Sequence, residues 1–286
     1  MALVVALTSA CLAVSGCTEA GPGTGEGTTT DPSKTAASPE EPEFPTARTT
    51  GVPQGVRLTR TDTLTITKDG TVVDGRRVDG RILIEADDVT IRNTLVRTRT
   101  SLYPIHVAND TTGALIEDVE VDNRGGTGIG VYFQGSGTLR GADVHSASDG
   151  IRIEADDVTI ADSFIHDLRR QPDGHHDTIQ LRSGDDVTIT GNTLQPYEEA
   201  TDDPMNAAIQ IGSLSGDDRI TNLVVSKNLM NGGNHTINGG GRGEVESARY
   251  SGNEFGRDCR YGPAGNIENS VWEDTNVWHD TGEPVR

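Results

Sequence analysis

The chain is 286 residues long and sets 44 Asp and Glu against 24 Lys and Arg, a formal net charge of −20. That balance argues against nucleic acid and anionic membrane surfaces as partners, although arginines outnumber lysines and a local cluster of them leaves a polyanionic substrate open. Hydrophobic residues at 33%, aromatics at 4% and 35 glycines suit many short strands and turns around a narrow core.

Residues 1–16 read as an export signal. Ala2 to Val14 is an apolar run too short to span a bilayer. Val14-Ser15-Gly16-Cys17 resembles the lipobox of bacterial lipoproteins, in which the cysteine is acylated and becomes the mature N-terminus. The resemblance implies lipidation at Cys17, with the domain secreted or held at the extracellular face of the cell membrane. No Lys or Arg precedes the apolar run, a departure that keeps an ordinary cleaved secretory signal as the alternative. Residues 17–53 are rich in Gly, Thr, Pro, Ser and Glu, and such a segment buries too little apolar surface to offset its ordering entropy. A disordered tether is expected there. Cys11 leaves with the signal and Cys17 is acylated, so Cys259 has no partner for an intramolecular disulfide.

From residue 54 onward a unit recurs. Ile84-Glu-Ala-Asp-Asp-Val-Thr-Ile91, Ile153-Glu-Ala-Asp-Asp-Val-Thr-Ile160 and the run ending Asp-Asp-Val-Thr-Ile189 share one pattern. Anchors with an apolar partner five positions on are Ile91, Ile116, Leu139, Ile160, Ile189, Val225 and Tyr250, and the partners are Val96, Val121, Val144, Ile165, Leu194, Met230 and Phe255. Successive anchors stand 25, 23, 21, 29, 36 and 25 residues apart. A period a little above 20 with apolar alternation every second residue describes one turn of a solenoid of parallel strands. Helical solenoids need longer repeats and i, i+3, i+4 patterning, and leucine-rich repeats need more leucine than this chain has.

The Asp-Asp-Val-Thr-Ile unit, with Asn192 or Asn228 at the following turn, resembles the right-handed parallel β-helix of the pectate-lyase-like superfamily. The opening Thr50-Gly51-Val52-Pro53 and the closing Tyr261-Gly262-Pro263, Val271-Trp272 and Asn276-Val277-Trp278 resemble secreted bacterial β-helix proteins, most of which lack an assigned activity. The resemblance implies an all-β, single-domain right-handed parallel β-helix over 54–286, with a C-terminal cap from about 257. It also implies a polysaccharide-binding groove. The chain is expected to be a monomer.

Each coil carries Ile-x-Ile before its anchor, and the middle residue faces solvent because its neighbours face the core. Stacked coils bring these middle residues about 4.8 Å apart. The column reads His106, an unassigned position within Gly130 to Tyr132, then Arg152, Gln180, Gln210 and Asn238. Each named member can hold a sugar hydroxyl or carboxylate; an ordinary solvated face is the bland alternative. A second column follows the last apolar residue of each coil: Arg97, Asp122, His145, His166, Gln195 and Asn231. The two longest coils insert chain just after it, at Asp167 to His176 and Pro196 to Asn206.

These insertions are expected to wall the groove. The candidate catalytic residues are His175, Asp177, His166 and Arg152, and the candidate substrate-binding residues are Asp149, His176, Gln180, Arg182, Gln210, His106 and Asn238. Histidines and carboxylates near an arginine supply a base, an acid and a carboxylate clamp. Asp149 and Asp177 open equivalent strands one coil apart, so they act either as a close pair or as turn caps. His175 and His176 with Asp177 are weighed as metal ligands without a recognised spacing. Calcium is the candidate cofactor at Glu198, Glu199, Asp202 and Asp203, against a solvated charge run.

The chain departs from characterised enzymes of the superfamily. It has no Gly-His-Gly or paired-Asp signature of polygalacturonases, and Arg170-Gln171-Pro172 lacks the second arginine of the pectate-lyase motif. Two classes of function therefore stand: an extracellular carbohydrate-active protein, with a polysaccharide lyase on an acidic glycan ahead of a hydrolase or epimerase, and a non-catalytic glycan-binding or structural lipoprotein.

Overall fold

The computed structural model describes residues 43–172, 174–212, 219–239 and 244–286. The lipidation candidate Cys17 and the tether as far as residue 42 lie outside the described residues. All described elements are strands, and every pairing between them is parallel apart from two isolated bridges.

Each complete coil has three strands. In one coil these are Ile151–Glu154, Val158–Ala161 and Phe164–His166. The first strands of successive coils form one sheet, and the second and third strands form a larger one that bends through the corner between them. The register is that of the repeat. Ile91, Ile116, Leu139, Ile160, Ile189, Val225, Tyr250 and Trp272 stand in one row, and all but Trp272 are buried in a continuous core.

The five-residue step from anchor to partner has a backbone cause. Two residues after each anchor the chain takes a positive φ, at Asn93, Asp118, Gly141, Asp162, Gly191, Lys227 and Gly252. A left-handed residue turns the corner, and Gly, Asn and Asp tolerate that conformation best. The second aspartate of the Asp-Asp-Val unit does the same at the preceding corner, with φ of 55° at Asp88, 54° at Asp157 and 56° at Asp186.

Inside the second corner runs a ladder of buried asparagines. Asn192, Asn228, Asn253 and Asn276 are each fully buried. The side-chain amide of Asn192 donates to Asn228 Oδ1 at 2.9 Å, Asn228 donates to Asn253 Oδ1 at 3.0 Å, and Asn253 donates to Asn276 Oδ1 at 2.9 Å. Each of these four amides also donates to a backbone carbonyl, of Ile160, Ile189, Val225 and Tyr250 in turn. Burial at a turn is tolerable only when its polar groups are paired.

Both ends of the domain differ from the sequence expectation. Residues 43–53, expected in the tether, pack along the helix. The Phe44 ring meets His279 at 6.1 Å, and the buried Gly51 donates its N–H to the Gly141 carbonyl at 2.8 Å. A β-carbon at Gly51 would stand 3.1 Å from that of Asp143, and its φ of +76° favours glycine. The packed domain therefore begins by Glu43, because a glycine can sit against the coil edges where composition alone suggested only solvation. The cap expected from about 257 is shorter, since Gly262–Gly265, Ser270–Trp272 and Val277–Trp278 build one further coil. Only the tail then closes the stack, with Val285 buried and Trp272 Nε1 donating to its carbonyl at 3.1 Å.

Candidate functional site

On the first sheet the outward row is Leu83, His106, Tyr132, Arg152, Gln180, Gln210, Asn238 and Gly265. The position left unassigned in the sequence is Tyr132. Tyr132 is itself buried between the buried Val131 and Phe133, so the run Val-Tyr-Phe lacks the apolar–polar alternation that placed its neighbours in the row.

The row is laced by hydrogen bonds. Arg152 Nε donates to Gln180 Oε1 at 2.7 Å, and Asn238 donates to Gln210 Oε1 at 2.9 Å. At the other end the His106 ring stacks on Tyr132 at 5.1 Å and bonds Gln134 at 2.8 Å, with Tyr103 packed on both rings. The Tyr132 hydroxyl donates a hydrogen bond to Glu154 at 2.5 Å, and Glu154 also holds Arg182 at 2.9 Å. Burial and the Glu154 carboxylate push the Tyr132 phenol far up, so it stays protonated.

Beside Arg152 lies the acid pair. Asp149 and Asp177 occupy the same position in neighbouring coils and are 7% and 0% exposed. The Asp177 backbone N–H donates to Asp149 Oδ1 at 3.1 Å, and the Arg152 guanidinium stands 3.8 Å from Asp149 Oδ2. Asn206 donates to Asp177 Oδ1 at 2.7 Å, while Asp177 Oδ2 is buried with no partner. Burial raises the Asp149 carboxyl, opposed by the Asp177 N–H and by Arg152. Burial raises Asp177 further, and the charge on Asp149 adds to it. Two carboxyls so placed cannot both ionise cheaply, so the pair retains a proton where an exposed carboxyl has lost its own.

The insertions cover this pair. Arg170 clamps Asp203 through two bonds of 2.7 and 2.6 Å, which ties the loop after His166 to the loop after Gln195. His176 is buried, with Nδ1–H donating to the Ser148 carbonyl at 2.8 Å and Nε2 accepting the Gln171 N–H at 2.9 Å. Both nitrogens are occupied, so His176 holds the loop in place instead of facing substrate. His175 is exposed beside the pair, close enough for its charge to favour the Asp149 carboxylate.

Of the candidates, Asp149, Arg152, Asp177, Gln180 and Gln210 come together, with Arg182, His175 and Asn238 at the margins and His106 at the aromatic end. His166 does not join them. It lies on a third strand with Nε2 at 2.8 Å from Asp143 and Nδ1 at 2.9 Å from Asp167, and no described bond links it to the Arg152 row. His145 and His166, successive members of the second column, pair in register, with 5.4 Å between ring centres. Glu154, Tyr132, Tyr103 and Asn206 were missed. Asn206 sits in an insertion, where no periodicity locates a side chain.

The metal candidates fare differently. His176 has no free nitrogen, Asp203 is held by Arg170, and Asp202 accepts the Tyr197 hydroxyl at 2.8 Å. Among the described residues no group of three or more His, Cys, Asp or Glu is arranged to hold a metal ion.

Parallel three-strand coils with a largely polar outward row define a β-helix protein. A family profile for the right-handed β-helix region matches residues 54–213, more than half of the chain, and the chain belongs to that family. Among solved structures it is similar to the tailspike protein gp49 of the Acinetobacter baumannii bacteriophage Fri1, described as a capsular polysaccharide depolymerase. The likeness is 9% identity and a TM-score of 0.28, over 79% of this chain and 58% of that one. This chain thus spans little more than half the length of the tailspike. No curated protein matches it.

Proposed function

We propose that this protein is an extracellular carbohydrate-active β-helix protein that binds a polysaccharide along the outward row from His106 to Asn238, with Asp149 and Asp177 as its acid–base centre. One observation carries the reading: a fully buried carboxyl with an unpartnered oxygen, set against a second carboxyl at the foot of that row. Such a group costs stability wherever it serves only packing, and perturbed pairs of this kind concentrate at functional sites.

Hydrolysis is favoured over lyase chemistry. Proton abstraction beside a uronate carboxylate needs a cation to neutralise that carboxylate, and both arginines of the groove are already engaged. Arg152 bonds Gln180 and approaches Asp149, and Arg182 pairs with Glu154. A carboxyl pair holding one proton supplies instead an acid for the leaving oxygen and a base or nucleophile. Glycan access requires the loop bearing Arg170 and His176 to lift from the pair.

The test is digestion of a panel of neutral and uronic-acid polysaccharides, following both new reducing ends and the absorbance of unsaturated products. Reducing ends without unsaturation, lost in Asp149→Asn and Asp177→Asn, support the reading; unsaturated product restores the lyase. The near-complete burial of the pair favours a second reading, a non-catalytic glycan binder, which predicts binding with no product from any polymer. We place the protein at the cell surface through Cys17: Cys17→Ala should move it from the membrane fraction to the medium, and unchanged fractionation removes the anchor.

A further inference from the structure

The insertions that cover the acid pair have a second side. Where Asn206 and His176 face the pair, Arg169, Tyr197 and Glu198 line a cavity of about 750 Å³ with Phe164, His166, Asp167, Gln195 and Glu199. That volume lies inside the range of small-molecule sites, about 300–1,000 Å³. The cavity sits on the third-strand face, one side of the coil away from the Arg152 row, and shares no lining residue with it.

Its chemistry is specific. Phe164 and His166 stand stacked on one strand, ring centres 3.9 Å apart and planes within 9°. The His166 ring is fixed by carboxylates on both nitrogens, Asp143 at 2.8 Å and Asp167 at 2.9 Å. Tyr197 is held by Asp202 at 2.8 Å, and the Arg169 guanidinium lies 3.8 Å from Glu198. The walls therefore offer pre-set aromatic rings, carboxylate acceptors and few donors. A matching ligand has an apolar face to lie on a ring and hydroxyls around its edge to donate to Glu198 and Glu199. A pyranose has both. Three carboxylates against one arginine disfavour a sugar that carries its own carboxylate or sulfate.

We propose that this cavity is a second glycan site, separate from the groove and selective for a neutral hexopyranose. It holds a polymer strand on the far side of the joined loops, so one chain molecule grips polysaccharide at two faces. The inference does not rest on the acid pair being catalytic.

The experiment is affinity electrophoresis of the full-length protein through gels containing a neutral β-glucan or a galactomannan, with polygalacturonate and alginate as anionic controls. Wild type should be retarded by at least one neutral polymer. Phe164→Ala and Tyr197→Ala should each weaken that apparent affinity five-fold or more. Phe164→Leu, which keeps apolar volume without the ring, separates loss of stacking from loss of fold; it should show the same weakening at an unchanged melting temperature. Retardation by neutral polymers that is indifferent to Phe164→Leu and Tyr197→Ala overturns the proposal. So does retardation by the anionic polymers alone, which leaves the groove reading standing, and so does no retardation by any of the four.

Discussion

Two lines of polar side chains run along the stack, and they end in opposite states. The asparagine ladder from Asn192 to Asn276 is buried in the second corner, and each rung bonds the next rung and a backbone carbonyl. The line beside the outward row runs through Asp149, Asp177, Asn206 and Asn234 and leaves Asp177 Oδ2 buried and alone. The first arrangement returns in full the desolvation it costs. The second leaves one buried oxygen unpaired beneath the covering loops, a cost that packing alone does not explain. On the proposed reading, the contrast separates a stack kept for stability from one kept for chemistry.

The sharpest way to break that contrast is at the ladder. Asn228→Leu removes the acceptor of the Asn192 backbone and side-chain amides and the donor to the Ile189 carbonyl. Each buried group left unpaired costs about 1–3 kcal/mol, so urea denaturation should show a loss of about 3–5 kcal/mol. Turnover or glycan binding per folded molecule should not change. A loss below about 1 kcal/mol would mean the ladder is ornamental and its burial has another cause.

At the acid pair the same kind of change should run the other way. Asp177→Asn keeps an acceptor for Asn206 and removes a buried carboxyl that folds only by holding a proton, so stability at pH 7 should rise, by roughly 1 kcal/mol or more. The sign follows from linkage. The folded carboxyl is raised above its unfolded value near 3.9, so the folded state binds the extra proton and stability falls as pH climbs from that value through the folded one. Wild type and variant should therefore converge below about pH 4 and separate above it, with activity lost in the variant. Equal melting curves across that window would place Asp177 among the structural caps.

Much of this was legible in the sequence, for physical reasons that also mark the limit. Anchors such as Ile160 and Ile189 announce themselves because a three-sided coil repeats burial at fixed offsets. Asp149 and Asp177 stand the same three residues before Arg152 and Gln180, so their adjacency follows from register alone. His166 shows where this fails. Its column was read correctly, but which side of the coil that column faces depends on how the two insertions fold. Arg170 and Asp203, which join them, carry no periodicity. His176 points inward for the same reason, and Gly51 packs on the coil edge although its neighbours read as tether.

A smaller effect is expected where the insertions meet. Arg170→Ala deletes the two-bond clamp on Asp203 and a 3.0 Å bond to the Gly174 carbonyl. Arg170 and Asp203 are partly exposed, and such pairs contribute about 0.2–1 kcal/mol, so the global midpoint should barely move. Proteolysis of the loop between Asp167 and His176 should accelerate, and access to the acid pair should rise with it. Unchanged cleavage rates would show that the loops hold together without the arginine.

The smallest expected change in stability is at His175, and it is the most informative about mechanism. The side chain is exposed, so His175→Ala should shift unfolding by no more than about 0.5 kcal/mol. Its charge is among the influences that lower the Asp149 carboxyl, behind the Asp177 N–H, Arg152 and His176. Removing it should let burial raise that carboxyl further. If the pair is the acid–base centre, the limb of the pH–rate profile set by the loss of its first proton should move to higher pH, with the maximal rate largely kept. If His175 is itself the base, as its place in the insertion first suggested, the rate should collapse at every pH with no displaced limb. A profile identical to wild type would detach His175 from the chemistry and leave the pair to Arg152 and the covering loop.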